Sequence, residues 1–110
     1  MKFQQCFINS KGSIWRTQTL IEASKDLPIE NYQVKRLPEA TVIRWKLVNV
    51  HDYCVHYKRV MNADLSIPII LSPNGFIMDG YHRCIKAICE GIKVLPCREL
   101  IILPEPDFTE

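Results

Sequence analysis

The chain has 110 residues, 47% hydrophobic and 24% charged, and a formal net charge of +2. Such values fit one globular domain spanning 1–110 with a single modest core, and they give nucleic-acid binding no support from charge alone, although a local basic patch stays open. The longest apolar run, Ile67-Pro68-Ile69-Ile70-Leu71, is far shorter than the ~20 residues that span a bilayer, so no membrane partner is expected.

The N-terminus, with one lysine and no sustained apolar stretch, does not read as a signal peptide. Five irregularly spaced cysteines without a C-x-x-C pair fit reduced thiols in a cytoplasmic protein and give no metal site.

In chain order, the mixed runs "CFIN" and "SIW" flank Ser10-Lys11-Gly12, so residues 1–16 form a hairpin or an irregular arm. "TQTLIEASKDLP" offers Leu20, Ile21 and Ala23 before Pro28, which predicts a short helix. "YQVKRL", ending at Pro38, reads as a strand. Residues 39–48 are either an extended segment or a loop carrying an aromatic, Trp45. From Asn49 the apolar residues Val50, Tyr53, Cys54, Tyr57, Val60 and Met61 form one stripe at about 100° per residue. Asn49 can cap that helix, and Asp52 in its first turn suits the positive end of the dipole. His51, His56, Lys58 and Arg59 lie off the stripe.

"IPIIL" then reads as a buried strand, Ser72-Pro73-Asn74-Gly75 as a tight turn and "FIMD" as a second strand. A helix follows, with Tyr81, Cys84, Ile85 and Ile88 inward and Gly91 as its stop. "KVLPCRELII" supplies a last strand, and residues 103–110, with two prolines, an extended surface tail. The expected fold class is α/β (α+β), a small mixed sheet with packed helices.

The segment "MDGYHRCIKAICEG" at 78–91 carries the chemistry. Asp79 ends a strand, Gly80 permits a tight turn, and Tyr81, His82 and Arg83 open a helix whose first-turn amides face outward. Amides, helix dipole, imidazole and guanidinium together suit an oxyanion, most naturally phosphate. Lys86, one turn beyond His82, could reach a terminal phosphate or simply cover the helix. The alternative is a plain strand-to-helix turn, capped by Asp79, with Arg83 in a surface ion pair.

"IPIILSPNGFIMDGYHRCIKAICEGIKVLP" resembles the ParB/sulfiredoxin superfamily. The resemblance rests on Pro68-Ile69-Ile70, Gly75, Asp79-Gly80-Tyr81-His82-Arg83, Ala87 and Gly91, about a third of the chain. A looser likeness to small single-domain ParB-like proteins extends through "WRTQTLIEASKDLP", "HYKRVMNADLSIPIIL" and "PEPDF".

The resemblance implies a ParB/sulfiredoxin-like fold with a nucleotide or phosphate site at Gly80, Tyr81, His82, Arg83 and Lys86. Tyr81 stands where sulfiredoxins carry their reactive cysteine, which argues against sulfinic-acid reduction. In partition ParB proteins the matching box contacts the triphosphate of CTP, and a separate domain reads DNA; these 110 residues hold no counterpart of that domain. In the superfamily's free-serine kinases the matching motif binds phosphates and an upstream glutamate is the base. That likeness makes Glu39 the positional candidate, ahead of Glu30 and Glu22, with Asp79 as the second catalytic carboxylate.

The leading expectation is therefore a ParB-like domain that binds a nucleotide (ATP, ADP or CTP, with Mg²⁺) or another phosphorylated small molecule. Any chemical step would be phosphoryl transfer or nucleotide hydrolysis. The alternative is a non-catalytic DNA- or protein-binding accessory, with Lys35, Arg36, Arg44, Lys46, Lys58 and Arg59 as a basic surface. A homodimer is compatible with either. Arg44-Trp45-Lys46 could stack a base, or Trp45 could be core. His51 and His56, about 140° apart around a helix, cannot share a metal, and both read as surface residues, although one can face the pocket.

Overall fold

A computed structural model describes residues 6–41 and 45–109, and the side chains of Cys6, Glu39 and Thr41 fall outside that description. Two strands, β1 (Cys6–Ile8) and β2 (Ser13–Arg16), form an antiparallel hairpin in the register Phe7↔Trp15 and Ile8↔Ile14. Helix α1 (Thr17–Ser24) follows directly, then β3 (Glu30–Gln33) and two 3₁₀ turns at Val34–Arg36 and Pro38–Thr41. Helix α2 spans Val50–Asn62. Strands β4 (Ile69–Leu71) and β5 (Ile77–Asp79), helix α3 (Tyr81–Cys89) and strands β6 (Val94–Glu99) and β7 (Phe108–Thr109) complete the chain.

The strands form two sheets, one ordered β1-β2-β7 and the other β3-β6-β4-β5. In the larger sheet β4 runs parallel to β6, while β5 and β3 pair antiparallel to β4 and β6. This is the mixed α+β architecture expected. The apolar run in β4 is explained by burial on both faces. Ile69 and Leu71 join Ile77, Cys84, Ala87, Leu95 and Cys97 in a core on one side. Ile70 points the other way, into a second cluster with Trp15, Leu20, Met78 and Leu100. The larger sheet is thus covered by α3 on one face and by the hairpin with α1 on the other.

The segment read as the strand "YQVKRL" is half strand and half turn. Val34 and Leu37 are both buried in the same core, and an offset of three suits a 3₁₀ turn, whereas a strand would carry them to opposite faces. The tail is also more structured than a surface run. β7 pairs with β2 through Ile14↔Phe108, and Trp15 donates its indole N–H to the Pro104 carbonyl at 2.8 Å.

Helix α2 starts where expected, with Asn49 accepting from the Asp52 amide at 2.9 Å. Its apolar stripe, however, faces outward: Val60 is buried, while Val50, Tyr53, Tyr57 and Met61 are exposed by 77%, 61%, 55% and 55%. The inward face instead presents His56, which packs against α3. In α3, Tyr81, Cys84 and Ala87 are buried as the helical period requires, and Ile88 is exposed.

Candidate functional site

The turn between β5 and α3 is the geometric centre of the site. Gly80 caps α3 at φ 110°, a left-handed conformation that strains any residue with a Cβ. A Cβ there would also lie 2.9 Å from Ile69 Cγ1 and 3.2 Å from the Arg83 guanidinium carbon. The glycine is therefore fixed by close packing onto β4, independently of any ligand. Gly80 has no side chain with which to cap the helix, and the positive end of the α3 dipole lies at this turn.

Arg83 folds back across this turn. Its Nη1 donates to the Ile67 and Pro68 carbonyls at 3.0 and 2.7 Å, and its Nη2 to Asp79 Oδ2 at 2.8 Å. Asp79 and Arg83 thereby lock β5 and α3 to the start of β4. Lys86 takes a comparable structural post: its ammonium donates to the Met61 and Ala63 carbonyls at 3.0 and 2.8 Å, at the end of α2.

His82 points elsewhere. Its Nε2 lies 3.0 Å from Nδ1 of His56, so one ring donates and the other accepts. Both imidazoles stack on the Trp45 indole, at centroid distances of 4.2 Å for His56 and 4.8 Å for His82. Tyr81 meets the same indole edge-on at 5.0 Å. Burial, reinforced by His56, Arg59 and Arg83, lowers the His82 pKa to about 4. Burial, and then Arg59, lowers that of His56 as well. Near neutrality this is a neutral, hydrogen-bonded imidazole pair on an aromatic floor.

Two clefts meet at this point. One, of about 220 Å³, is lined by Phe7, Ile8, Trp45, His56, Tyr81 and neighbouring residues. The other, of about 410 Å³, is lined by Lys58, Arg59, Asn62, Ala63 and Arg83. Thr17, Asp79, Gly80 and His82 line both. The groove is thus aromatic at one end and cationic at the other, with the α3 N-terminus between them.

Of the residues singled out in the sequence, Asp79, Gly80, Tyr81, His82 and Arg83 come together in this groove, and Lys86 stands behind it. The Glu39 side chain and all of Arg44 lie outside the described residues. Glu30 lines a separate cleft with Pro73 and Glu99, and Glu22 pairs with Lys25 at 3.1 Å. Sequence reasoning missed Thr17 and Phe7, and it assigned Lys58 and Arg59 to a nucleic-acid surface. The available signal was the position of Arg59 and His56 off the α2 stripe, which places them on one side of that helix.

Among the described residues no group of three or more His, Cys, Asp or Glu is gathered as for a metal ion. Nor is any helix among them long and apolar enough to cross a membrane. No protein family, characterised protein or solved structure matches the chain.

Proposed function

We propose that the groove at Gly80 binds a nucleotide or a related phosphorylated small molecule. The observation carrying this reading is the continuity of the two clefts through Thr17, Asp79, Gly80 and His82. It sets an aromatic and imidazole surface beside Lys58, Arg59 and the N-terminus of α3. A planar ring would lie against the first end and phosphate oxygens against the second. A Mg²⁺ carried by the phosphates would find Asp79 as the carboxylate that lines both clefts. The Asp79-Gly80-x-His82-Arg83 resemblance to the ParB/sulfiredoxin superfamily points the same way.

The cationic end is best tested through Lys58 and Arg59, because Arg83 and Lys86 hold the fold together and their loss would confuse binding with stability. A thermal-shift panel of ATP, ADP, CTP, GTP and pyrophosphate with Mg²⁺ is expected to raise the Tm of the wild type. The double substitution Lys58→Ala/Arg59→Ala is expected to weaken the response at least about tenfold in apparent Kd, the effect of losing charge-assisted contacts. If no phosphate compound shifts the wild type while duplex DNA does, the accessory DNA-binding reading replaces this one. Should turnover accompany binding, Glu39→Gln separates the steps: a catalytic Glu39 loses turnover and keeps affinity.

A further inference from the structure

The hydrogen bond between the two imidazoles constrains their chemistry as well as their position. His82 uses Nε2 for His56 Nδ1 at 3.0 Å. Its other ring nitrogen, Nδ1, has no hydrogen-bond partner among the described residues. In a neutral pair the two ends are linked. When His82 donates from Nε2, its Nδ1 holds a bare lone pair; when His56 donates instead, that Nδ1 carries a proton. His82 lines both clefts, whereas of these two His56 lines only the aromatic one. The edge of His82 remote from His56 therefore addresses the cationic end. Lys58, Arg59 and the α3 N-terminus lie there, and their positive charge favours the arrangement with a bare nitrogen facing them. Burial, with His56, Arg59 and Arg83, holds the ring's pKa at about 4, so the lone pair is present near neutrality. An unprotonated imidazole nitrogen steadied through its second nitrogen is the form that attacks an electrophile. The carboxylate at the same junction, Asp79, is held by Arg83 at 2.8 Å.

We infer that His82 Nδ1 is a nucleophile that takes the terminal phosphoryl group of a nucleoside triphosphate, with His56 as its positioning residue, a step that rests on the nucleotide-binding reading of this groove. Nδ1 attacks phosphorus, and the N–P bond forms as the bond to the bridging oxygen breaks. The electron pair of that bond leaves on the nucleoside diphosphate. The charge gained by the ring is discharged when the Nε2 proton passes to His56 Nδ1 and the His56 Nε2 proton passes to water. Lys58 and Arg59 offset the negative charge around the transferring group.

The test uses the full chain with Mg²⁺ and γ-phosphoryl-labelled ATP, CTP or GTP, quenched in alkali and mapped by tandem mass spectrometry. Thermal shift with the same nucleotides is run in parallel. A phosphoryl group on a histidine nitrogen is stable to alkali and lost in acid. One on Thr17 or Tyr81 survives acid, and one on Asp79 is lost in alkali. The expected result is an acid-labile, alkali-stable phosphoryl group on His82 and none on the exposed His51. His82→Gln abolishes it. His56→Leu slows labelling at least about tenfold, as expected for losing one positioned hydrogen bond. His56→Asn, whose amide oxygen replaces Nδ1 as the acceptor, restores most of that rate. A packing role alone would show no such rescue, because both substitutions remove the ring stacked on Trp45. Mapping is done on the wild type, so a misfolded variant does not decide the outcome. A thermal shift without label, or label on any other residue, overturns the nucleophile and keeps the ligand site. Neither shift nor label overturns both.

Discussion

At the residue scale, the His82 imidazole is depressed to about 4 by burial first and then by His56, Arg59 and Arg83, and this couples the fold to pH. In the unfolded chain His82 takes up a proton below its ordinary 6.5, whereas in the folded chain it resists until about 4. The unfolded state therefore binds more protons in that window, and stability is fully present above 6.5 and falls as pH drops toward 4. His56 is shifted in the same direction. Urea denaturation of the wild type across that window should show a falling midpoint, and His82→Gln should flatten the slope. An equal slope in both proteins would mean that His82 already titrates normally in the fold. A phosphate ligand beside His82 would favour its protonated form, so the proposed binding should tighten as pH falls.

How much of this was legible in the residues depended on how local each partner is. Asp79-Gly80 announced a tight strand-to-helix turn because glycine and a short acid have few other uses before a helix. Arg83 looked like a phosphate ligand because its principal partners are main-chain carbonyls 15 and 16 positions away, and a carbonyl carries no side-chain signature. Trp45 was read as either a stacking platform or core. It is partly both, half-buried beneath two imidazoles.

At the element scale, two helices are finished by cations borrowed from elsewhere. Arg98 on β6 donates to the Ser24, Lys25 and Leu27 carbonyls at 3.2, 2.6 and 2.9 Å, closing the end of α1. Lys86 on α3 does the same for α2. Each satisfies carbonyls that a helix end leaves unpaired and sits favourably at the negative end of the dipole. Lys86→Met keeps most of the side chain's bulk and removes only the donor. It should cost about 1 kcal/mol in chemical denaturation and leave any phosphate response in the thermal-shift panel intact. A lost response with unchanged stability would instead make Lys86 a ligand contact.

The helices themselves were visible in the sequence from periodicity and caps. Which way α2 turns its stripe was not. A period fixes the phase of a face within its own helix and is silent about what that face meets. The strand at "YQVKRL" failed for a related reason: Val34 and Leu37 can be brought to one side by a 3₁₀ turn, and the core needed both.

At the scale of the whole molecule, the smaller sheet is a joint between distant parts of the chain. Asp107 accepts from the Arg16 amide at 2.8 Å and the Thr19 hydroxyl at 2.7 Å. These bonds, the Arg16 amide foremost, hold the Asp107 carboxyl below the usual carboxylate range. Arg16 also lies over the Phe108 ring at 4.8 Å. Asp107→Ala should free this joint, with amide exchange in β2 quickening several-fold while β4 and β6 keep their protection. Uniform protection across both sheets would show that β7 is held by its strand pairing alone.

The wall that Phe7 and Ile8 give to the groove belongs to that same smaller sheet. During synthesis the hairpin leaves the ribosome before its partner strand, and the bond from Arg16 to Asp107 must wait for a residue 91 positions later. Until residues 107–109 emerge, one side of the groove lacks its backing strand. A small molecule that needs both sides would bind only after residues 107–109 have joined the smaller sheet.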